Sequence, residues 1–376
     1  MCLTKKVYAG SHARPDFFIL YIRMLFLVII KAQICWKLSV CYGVGIMSLR
    51  DQLFAAYGLA LQEVRFYGRE WLTDGNQLYL LKDLSQFHHP DLGELQYYSE
   101  ALFRRDESVA YIVPTKTKET TSKIAGNSVV LLLLNHPDRP LRADGKTLAH
   151  FHRVGAELLS ERPSRTYLLP GWRDFWAKRI DDLSVQWNDV EQKNVHSDYE
   201  TLFLEVFPYF SGRAENAIQY VTDLFIDVPV TDQPVIAHHR FNEECWRLDG
   251  FFQVTPDQWV IDHPARDLAE WMRRALLQNR STSDIFAFVD QYVSQRVLSV
   301  SGLGLAFSRL LYPLLFIENA EAFFDGRTDE QKALATLHEL INLVDREERF
   351  LAAFGKRYIK TLPRIDWLAD TVKSSL

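Results

Sequence analysis

Cysteine is scarce in this chain of 376 residues, and most of it lies near one end. Three of the four cysteines fall within residues 1–46: Cys2, Cys35 and Cys41. Cys245 alone cannot form a disulfide framework, and the chain has no Cys/His spacing of the zinc type. The adjacent pairs His88–His89 and His238–His239 also lack a carboxylate at metal-ligand spacing. We therefore expect folding in a reducing compartment and no structural metal.

Net positive charge is confined to the same terminal segment. Residues 1–46 hold six Lys and Arg against Asp16 alone, whereas the whole chain has a net charge of -5, so residues 47–376 carry -10. An acidic body without a basic stripe argues against nucleic-acid binding, which requires clustered Lys and Arg. The 48% of hydrophobic residues is enough for one large two-lobed domain or two ordinary domains.

Only one long apolar run occurs in the first segment, at residues 17–30, and Arg23 interrupts it. The run is shorter than the ~20 residues that a membrane-spanning helix needs, and no small-residue cleavage site of a signal peptide follows it. Met47 opens an ordinary start for a soluble domain. We expect residues 1–46 to be an over-extended gene start, neither native nor folded; a membrane anchor and a genuine folded arm are the alternatives.

The pattern from Val64 onwards predicts a β-hairpin, because two runs of strand character are split by residues 73–76, whose Asp-Gly pair suits a tight turn. From Pro90, apolar residues recur at helical spacing, with the proline in a favourable first-turn position. Two short apolar runs at 109–113 and 129–134 are typical of buried strands.

After Asn135 the chain consists mainly of long amphipathic stretches, which predict helices. These stretches are 147–160, 169–185, 197–226, 267–278, 283–300, 302–325 and 328–354. The sequence therefore predicts an α+β protein with a small β-rich N-lobe at residues 47–135 and a mostly helical C-lobe at 136–376. This is the layout of the bilobal protein-kinase-like fold.

Residues 235–274 read VIAHHRFNEECWRLDGFFQVTPDQWVIDHPARDLAEWMRR. This segment resembles the site of aminoglycoside and choline kinases and of the CotS-like spore coat family. There, an apolar strand leads into H-G-D-x-x-x-x-N, followed by a hairpin, a strand ending in a metal-binding Asp, and D-L-A at the start of a helix. His238 matches the His, Asp262 the metal-binding Asp and Asp267 the helix-opening Asp.

The run D-H-P-x-R-D-L-A-E-W at 262–271 is the most specific part of the resemblance, and it is similar to YutH-type spore coat-associated proteins within the CotS-like family. Residues 148–152 (LAHFH) and 309–313 (RLLYP) match further segments of that family. The resemblance covers about residues 50–370 and implies the aminoglycoside phosphotransferase-like form of the kinase fold.

The chain departs from the kinase pattern at two positions. Phosphoryl transfer needs an Asp to accept the substrate proton and an Asn five residues on to hold a metal ion. Here these positions are Arg240, a permanent cation, and Cys245, a soft ligand poorly suited to Mg²⁺. With His238 the only matching member, the sequence predicts that no catalytic set is intact. Asn242 is close but out of register.

Two carboxylates follow the strand. Asp262 keeps the place of the metal-binding Asp, and a structural role, accepting backbone hydrogen bonds in a tight turn, is the alternative. Only four residues separate it from Asp267, so the metal loop is expected to be shortened. Asp267 with Glu270 three residues later predicts a helix capping box.

Lys82 ends a predicted strand at the position of the kinase lysine that contacts nucleotide phosphates. The alternative is a solvated charge at the edge of the sheet. Its partner would be Glu94 or Glu100 on the next helix, and the sequence does not choose between them. No G-x-G-x-x-G precedes Lys82, so a phosphate-covering loop is not expected.

The resemblance implies a catalytically degenerate kinase-like protein that acts as a spore coat component or assembly factor. Its partners would be other coat proteins, and it would occupy the mother-cell cytoplasm during sporulation and then the coat. We expect no cofactor; binding of ATP and Mg²⁺ without turnover is left open. Candidate binding aromatics are Trp246, Trp259 and Trp271.

Two other functions stay open at this point. An active small-molecule kinase with a rearranged loop would use Asp262 for the metal and Asp249 or Asp257 as the base. A membrane-tethered interaction protein would require residues 17–30 to be a genuine span. Cys245 beside Glu243 and Glu244 does not suit a catalytic thiolate, since negative neighbours disfavour the ionised form.

Overall fold

A computed structural model describes residues 47–66, 69–136, 139–248, 251–362 and 365. The predictions for residues 1–46 and for Asp249 lie outside these ranges. The first element is helix α1 (Leu49–Tyr57). It begins where the Ser48 hydroxyl accepts the Asp51 N–H at 3.2 Å, and it ends at Gly58, whose positive φ of 76° favours glycine.

An antiparallel sheet forms the N-lobe. Its strands are β1 (Gln62–Phe66), β2 (Arg69–Thr73), β3 (Leu78–Asp83), β4 (Tyr111–Val113), β5 (Ser122–Ile124) and β6 (Asn127–Leu133). The order is β1-β2-β3-β6-β4, with β5 also paired to β6. Helix α2 (Leu92–Arg104) connects β3 to β4 and packs against the sheet through Leu95, Tyr98 and Leu102.

The predicted hairpin is confirmed as β2 and β3. Asp74 Oδ1 accepts the backbone N–H groups of Asn76 and Gln77, both at 2.9 Å, and Gly75 has a φ of 99°. The prediction was wrong in two details. The run before the turn is two strands rather than one, and Pro90 precedes the true N-cap of α2, which is Asp91.

Eight helices and four short strands follow in the described part of the C-lobe. They are α3 (Gly145–Glu161), α4 (Trp172–Glu191), α5 (Asp198–Asp227), β7 (Val235–His238), β8 (Arg247–Leu248), β9 (Phe251–Phe252), β10 (Trp259–Asp262), α6 (Ala265–Leu277), α7 (Thr282–Gln295), α8 (Val300–Leu311), α9 (Leu314–Phe324) and α10 (Glu330–Tyr358). Strands β7 and β10 pair antiparallel, as do β8 and β9.

The stretch predicted as one helix at 302–325 is two helices, α8 and α9, because Pro313 cannot continue the first. Among the described residues, Val300–Phe324 is the one segment long and apolar enough to cross a membrane. Most of it is buried inside the protein. It therefore packs as part of the C-lobe core.

The two lobes meet along residues that precede β10. The Ala110 N–H donates to the Val254 carbonyl at 2.8 Å, and the Val254 N–H donates to the Ser108 carbonyl at 3.0 Å. The His88 N–H donates to the Asp257 carbonyl at 3.1 Å. These bonds hold the sheet over the β7–β10 pair and so fix the positions of the residues at the cleft.

Candidate functional site

Asp267 lies at the centre of a buried hydrogen-bond network. Its Oδ1 accepts the backbone N–H of His238 at 2.8 Å, and its Oδ2 accepts from His238 Nδ1 at 2.7 Å and from His152 Nε2 at 3.1 Å. All three side chains are fully buried. Burial acts to raise the pKa of Asp267, but the two imidazoles outweigh it and lower the pKa to about 2.

The partners of the two histidines define their tautomers. Trp246 Nε1 donates to His238 Nε2 at 3.0 Å, so His238 carries its proton on Nδ1. His152 donates from Nε2, and its Nδ1 lies 2.8 Å from the Tyr292 hydroxyl, which donates to it. Burial lowers the pKa of His152. The network thus consists of one carboxylate and two neutral imidazoles, fully paired.

The predicted capping box at Asp267 and Glu270 is wrong. Helix α6 begins after Pro264, which makes no side-chain cap hydrogen bond. Asp267 instead points back to β7, as described above. Glu270 is also buried, where it accepts from Arg309 Nε at 3.0 Å and contacts Arg273 NH1 at 3.0 Å. Burial acts to raise the pKa of Glu270, but these guanidinium groups hold it well below its usual range.

Asp262 ends β10 and is completely buried. Its Oδ2 accepts from Trp172 Nε1 at 2.9 Å and from Arg266 NH1 at 2.7 Å, and its Oδ1 accepts the His263 N–H at 2.8 Å. These donors use three of the roughly four acceptor positions of a carboxylate. A guanidinium therefore lies directly against the carboxylate that the sequence matched to a metal-binding Asp.

Arg240 lies two residues after His238 of the Asp267 network, at the start of the loop after β7. It contacts Glu318 on α9, donates to the His239 carbonyl at 3.0 Å, and its Nε lies 3.8 Å from Glu270. Cys245 Sγ donates to the Arg240 carbonyl at 3.0 Å, and burial raises the pKa of this thiol to about 12. Neither side chain presents a proton acceptor to the cleft.

Lys82 contacts neither glutamate that the sequence offered. Its Nζ lies 2.6 Å from Oδ2 of Asp257, a residue that immediately precedes β10, so the pair joins the two lobes. Lys82 is largely buried, which also contradicts the prediction of a solvated edge charge. Glu94 accepts from Ser164 and Arg165, while Glu100 pairs with Arg104.

Lys82 and Asp257 line a space of about 520 Å³ between the lobes, together with Trp71, His88 and Gln258. In the described part of the chain, Asp257 Oδ1 and both amide atoms of Gln253 are buried without a hydrogen-bond partner. Of these two residues, Asp257 lines this space and could contact a nucleotide there, with Lys82 as the cation; Gln253 lines a smaller space next to it.

The histidine pairs meet across the lobes. His88 stacks on His239 with ring centroids 3.9 Å apart, and burial followed by the charge of Arg240 lowers the pKa of His239 to about 2. His89 Nδ1 accepts the Asp91 N–H at 3.0 Å. No group of three His, Cys, Asp or Glu side chains within the described residues could hold a metal ion.

The three tryptophans proposed as binding aromatics are buried, so that prediction is wrong. Trp246, Trp259 and Trp271 are 1%, 0% and 4% exposed. They pack in the C-lobe core, where Trp271 stacks on Phe288 at 3.6 Å. Sequence reasoning missed Arg266, Trp172 and Glu318 as neighbours of the site; the first stands inside the specific run at 262–271, but the other two come from distant helices.

Comparisons with known proteins show which proteins this chain is similar to. The family model described as "Spore coat putative kinase YutH" matches residues 50–354. The chain is 31% identical over 326 residues to the endospore coat-associated protein YutH of Bacillus subtilis (strain 168), which covers 83% of this chain and 96% of that protein.

Solved structures confirm the fold. An aminoglycoside phosphotransferase from Alicyclobacillus acidocaldarius superimposes with a TM-score of 0.60 at 15% identity, covering 86% of this chain and 99% of that one. A spectinomycin phosphotransferase in complex with ADP and spectinomycin has a TM-score of 0.50 at 14% identity, covering 78% and 93%. The chain thus has the bilobal aminoglycoside phosphotransferase-like fold, with a small antiparallel sheet and a mostly helical C-lobe.

Proposed function

The chain belongs to the YutH family of spore coat proteins, and from that premise we propose that it is a catalytically degenerate kinase-fold protein that acts as a coat component or assembly factor. The observation that carries the proposal is the ion pair between Asp262 and Arg266. The carboxylate that would hold a metal ion in an active kinase of this fold is neutralised by a side chain of its own protein.

Electrostatics explains why this pair opposes a metal. A dication held about 4 Å from one guanidinium is repelled by about 8 kcal/mol at an effective dielectric constant of 20. Arg266 is 6% exposed, so solvent screens its charge little. Arg240 adds a second cation, because both arginines line one cavity in the C-lobe. While Arg266 stays in place, this repulsion offsets part of the attraction between the Asp262 carboxylate and a metal ion.

Proton transfer is opposed at the same place. The residue at the base position is Arg240, which is permanently protonated and already donates to Glu318 and to the His239 carbonyl. A general base must accept a proton from the substrate within hydrogen-bond reach. Cys245 offers no replacement, because its thiol stays protonated with a pKa of about 12.

One observation favours the alternative of an active small-molecule kinase. Asp257 faces the space between the lobes, and its Oδ1 has no hydrogen-bond partner among the described residues. It could act as a base there, with Lys82 as a phosphate contact. The metal would still require Asp262, so this alternative depends on displacing Arg266.

Magnesium-dependent ATP turnover distinguishes the two functions. We expect no turnover by the wild-type chain with a panel of hydroxyl and amine acceptors. The controls are the variants Asp262→Asn and Asp257→Asn, which should behave as the wild type does. ATP turnover by the wild type that disappears in either variant would show that the protein is an active kinase and would refute the proposal that it is catalytically degenerate.

Location is tested separately. We propose that the protein is made in the mother cell, meets other coat proteins there and remains in the coat. The name of its Bacillus relative, an endospore coat-associated protein, supports the last of these steps. A fluorescent fusion imaged during sporulation should give a ring around the forespore. Uniform signal in vegetative cells with none at the forespore would contradict this part of the proposal.

A further inference from the structure

The C-lobe contains a cavity of about 610 Å³ next to Arg240. Cavities of 300–1,000 Å³ are the usual size for small-molecule sites. Its lining carries two kinds of side chain. The apolar side consists mainly of Trp172, Phe175, Trp176 and Leu314. The charged side carries four arginines and two glutamates, and two of these arginines lie over the rings, Arg309 over Trp172 at 4.8 Å and Arg179 over Phe175 at 5.4 Å.

The apolar side is a preformed stack of rings. Trp172 stacks on Trp176 with centroids 5.4 Å apart, and Trp176 stacks on Tyr312 at 4.6 Å. Both tryptophans are nearly buried, whereas Phe175 beside them is 59% exposed at the mouth of the cavity. A flat apolar group that entered here would meet rings already fixed by packing, so little side-chain entropy would be lost on binding.

The charged side is crowded with guanidinium groups. Arg240, Arg266 and Arg309 all reach the cavity, and burial together with the Arg266 charge lowers the pKa of Arg309 to about 9. The buried carboxylate behind them, Glu270, is shared among Arg309, Arg273 and Arg240. Arg266 pairs with Asp262 and Arg179 with Glu321, so Glu270 alone faces three guanidinium groups.

The remaining positive charge is balanced at the rim. Arg240 contacts Glu318, a side chain of α9 that is 39% exposed and lies on the cavity wall. A partly exposed carboxylate on a flexible stem is a replaceable counter-ion, because leaving the contact returns it to water at small cost. An oxyanion brought by a ligand could take its place on the planar guanidinium fork, which suits carboxylate and phosphate alike.

We propose that this cavity binds a small organic oxyanion with a flat apolar body. The carboxylate or phosphate of the ligand replaces Glu318 at Arg240, and its body lies against Phe175 and Trp176. Arg240 also stands at the position that the resemblance assigns to the catalytic base, but anion binding there requires no phosphoryl transfer.

Calorimetric titration of the full chain tests the ligand class. The probes are benzoate and phenyl phosphate, with benzyl alcohol and benzylamine as neutral and cationic controls of the same body. We expect one site for at least one anion and none for the controls. Stronger binding of benzoate identifies a carboxylate ligand, and stronger binding of phenyl phosphate identifies a phosphate. No binding of either anion at millimolar concentration, or equal binding of benzylamine, would overturn the proposal.

Variants test the position of the ligand with effects of opposite sign. Arg240→Gln should weaken anion binding by about tenfold or more, because a charge-assisted hydrogen bond is lost. Glu318→Gln should tighten it, because the competing carboxylate is gone. Phe175→Ala should weaken it through lost ring contact. The matched controls, Arg153→Gln and Phe54→Ala at exposed positions elsewhere, should change nothing.

Thermal unfolding checks that each variant is folded. If Arg240→Gln does not fold, Glu318→Gln and Phe175→Ala still decide the matter, since both side chains are partly exposed. Weaker or unchanged anion affinity in Glu318→Gln would refute the assignment of Arg240 as the anion site. The ATP turnover and imaging experiments do not depend on anion binding. A failure of the anion-binding proposal can therefore be distinguished from a failure of the proposed function.

Discussion

Two regions on either side of β10 differ in how completely their polar groups are paired. On the C-lobe side, Asp262 and Asp267 are fully buried, and each accepts three hydrogen bonds from protein donors. On the cleft side, within the residues described, Gln253 and Asp257 Oδ1 are buried with no partner. The carboxylates of Asp262 and Asp267 are therefore integrated into the hydrogen bonding of the fold, whereas the Gln253 amide and Asp257 Oδ1 are not.

The largest loss of stability should come from removing a partner of the buried carboxylates Asp262 and Asp267, or one of these carboxylates itself. Arg266→Ala leaves the Asp262 carboxylate buried without its cation, and Asp267→Ala leaves two buried imidazoles without an acceptor. Removing one partner of a buried ion pair, as in Arg266→Ala, costs about 3–5 kcal/mol. Asp267→Ala leaves three buried donors without an acceptor, at about 1–3 kcal/mol each. Urea denaturation of each variant measures the loss. Arg153→Ala, which removes an exposed ion pair on α3, is the control and should cost less than about 1 kcal/mol.

The pH dependence of stability should reveal the histidines of both regions. The pKa values of His88, His152 and His239 are lowered in the fold. Below about pH 6.5 the unfolded chain therefore binds protons that the folded chain does not, and stability falls as the pH falls. His239→Gln should reduce the slope of the free energy of unfolding against pH by at most about 1.4 kcal/mol per pH unit between pH 6 and 5, as measured by urea denaturation at each pH. An unchanged slope would contradict the neutral state of His239.

The Lys82–Asp257 pair joins the two regions, and its effect should be smaller. It is partly buried, so we expect a coupling free energy of about 1 kcal/mol in the double-mutant cycle of Lys82→Met and Asp257→Asn. A cycle between Lys82→Met and Glu94→Gln is the matched control and should give no coupling. Coupling of Lys82 to Glu94 and not to Asp257 would contradict the ion pair seen in the structure and would support the partner that the sequence predicted.

The smallest change in stability should come from replacing a buried group that has no partner. Gln253→Leu replaces a buried amide that has no partner in the described structure, so it removes a desolvation cost and loses no hydrogen bond. We expect a stability change within about 1 kcal/mol, in either direction, by urea denaturation. A loss as large as that of Arg266→Ala would mean that the Gln253 amide is hydrogen-bonded as the Asp262 carboxylate is.

The sequence predicted the fold well because its indicators are local. The Asp-Gly turn at 74–75 and the helical spacing after Pro90 each depend on a few neighbouring residues. The short strand at 122–124 was missed because Ser122 and Lys123 are polar, so the strand has no apolar run. The break at Pro313 was missed although proline is a local indicator, since the apolar spacing continues through it.

The site was harder to predict because its contacts are distant in sequence. Asp267 three residues before Glu270 matches a capping box, yet its partners are His152 and His238, which lie 115 and 29 residues away. Lys82 pairs with a residue 175 positions away rather than with the nearby helix. Only the fold brings such groups together. The residue types at Arg240 and Cys245, by contrast, could be interpreted directly from the aligned pattern.

The central claim is that Asp262 is a partner of Arg266 and not a metal ligand. Titration of the full chain with Mn²⁺, with free Mn²⁺ followed by electron paramagnetic resonance, tests it with the variants Asp262→Asn and Arg266→Met. The account predicts no site that depends on Asp262 in the wild-type chain, with or without ATP. A stoichiometric Mn²⁺ site in the wild type that is lost in Asp262→Asn would contradict it.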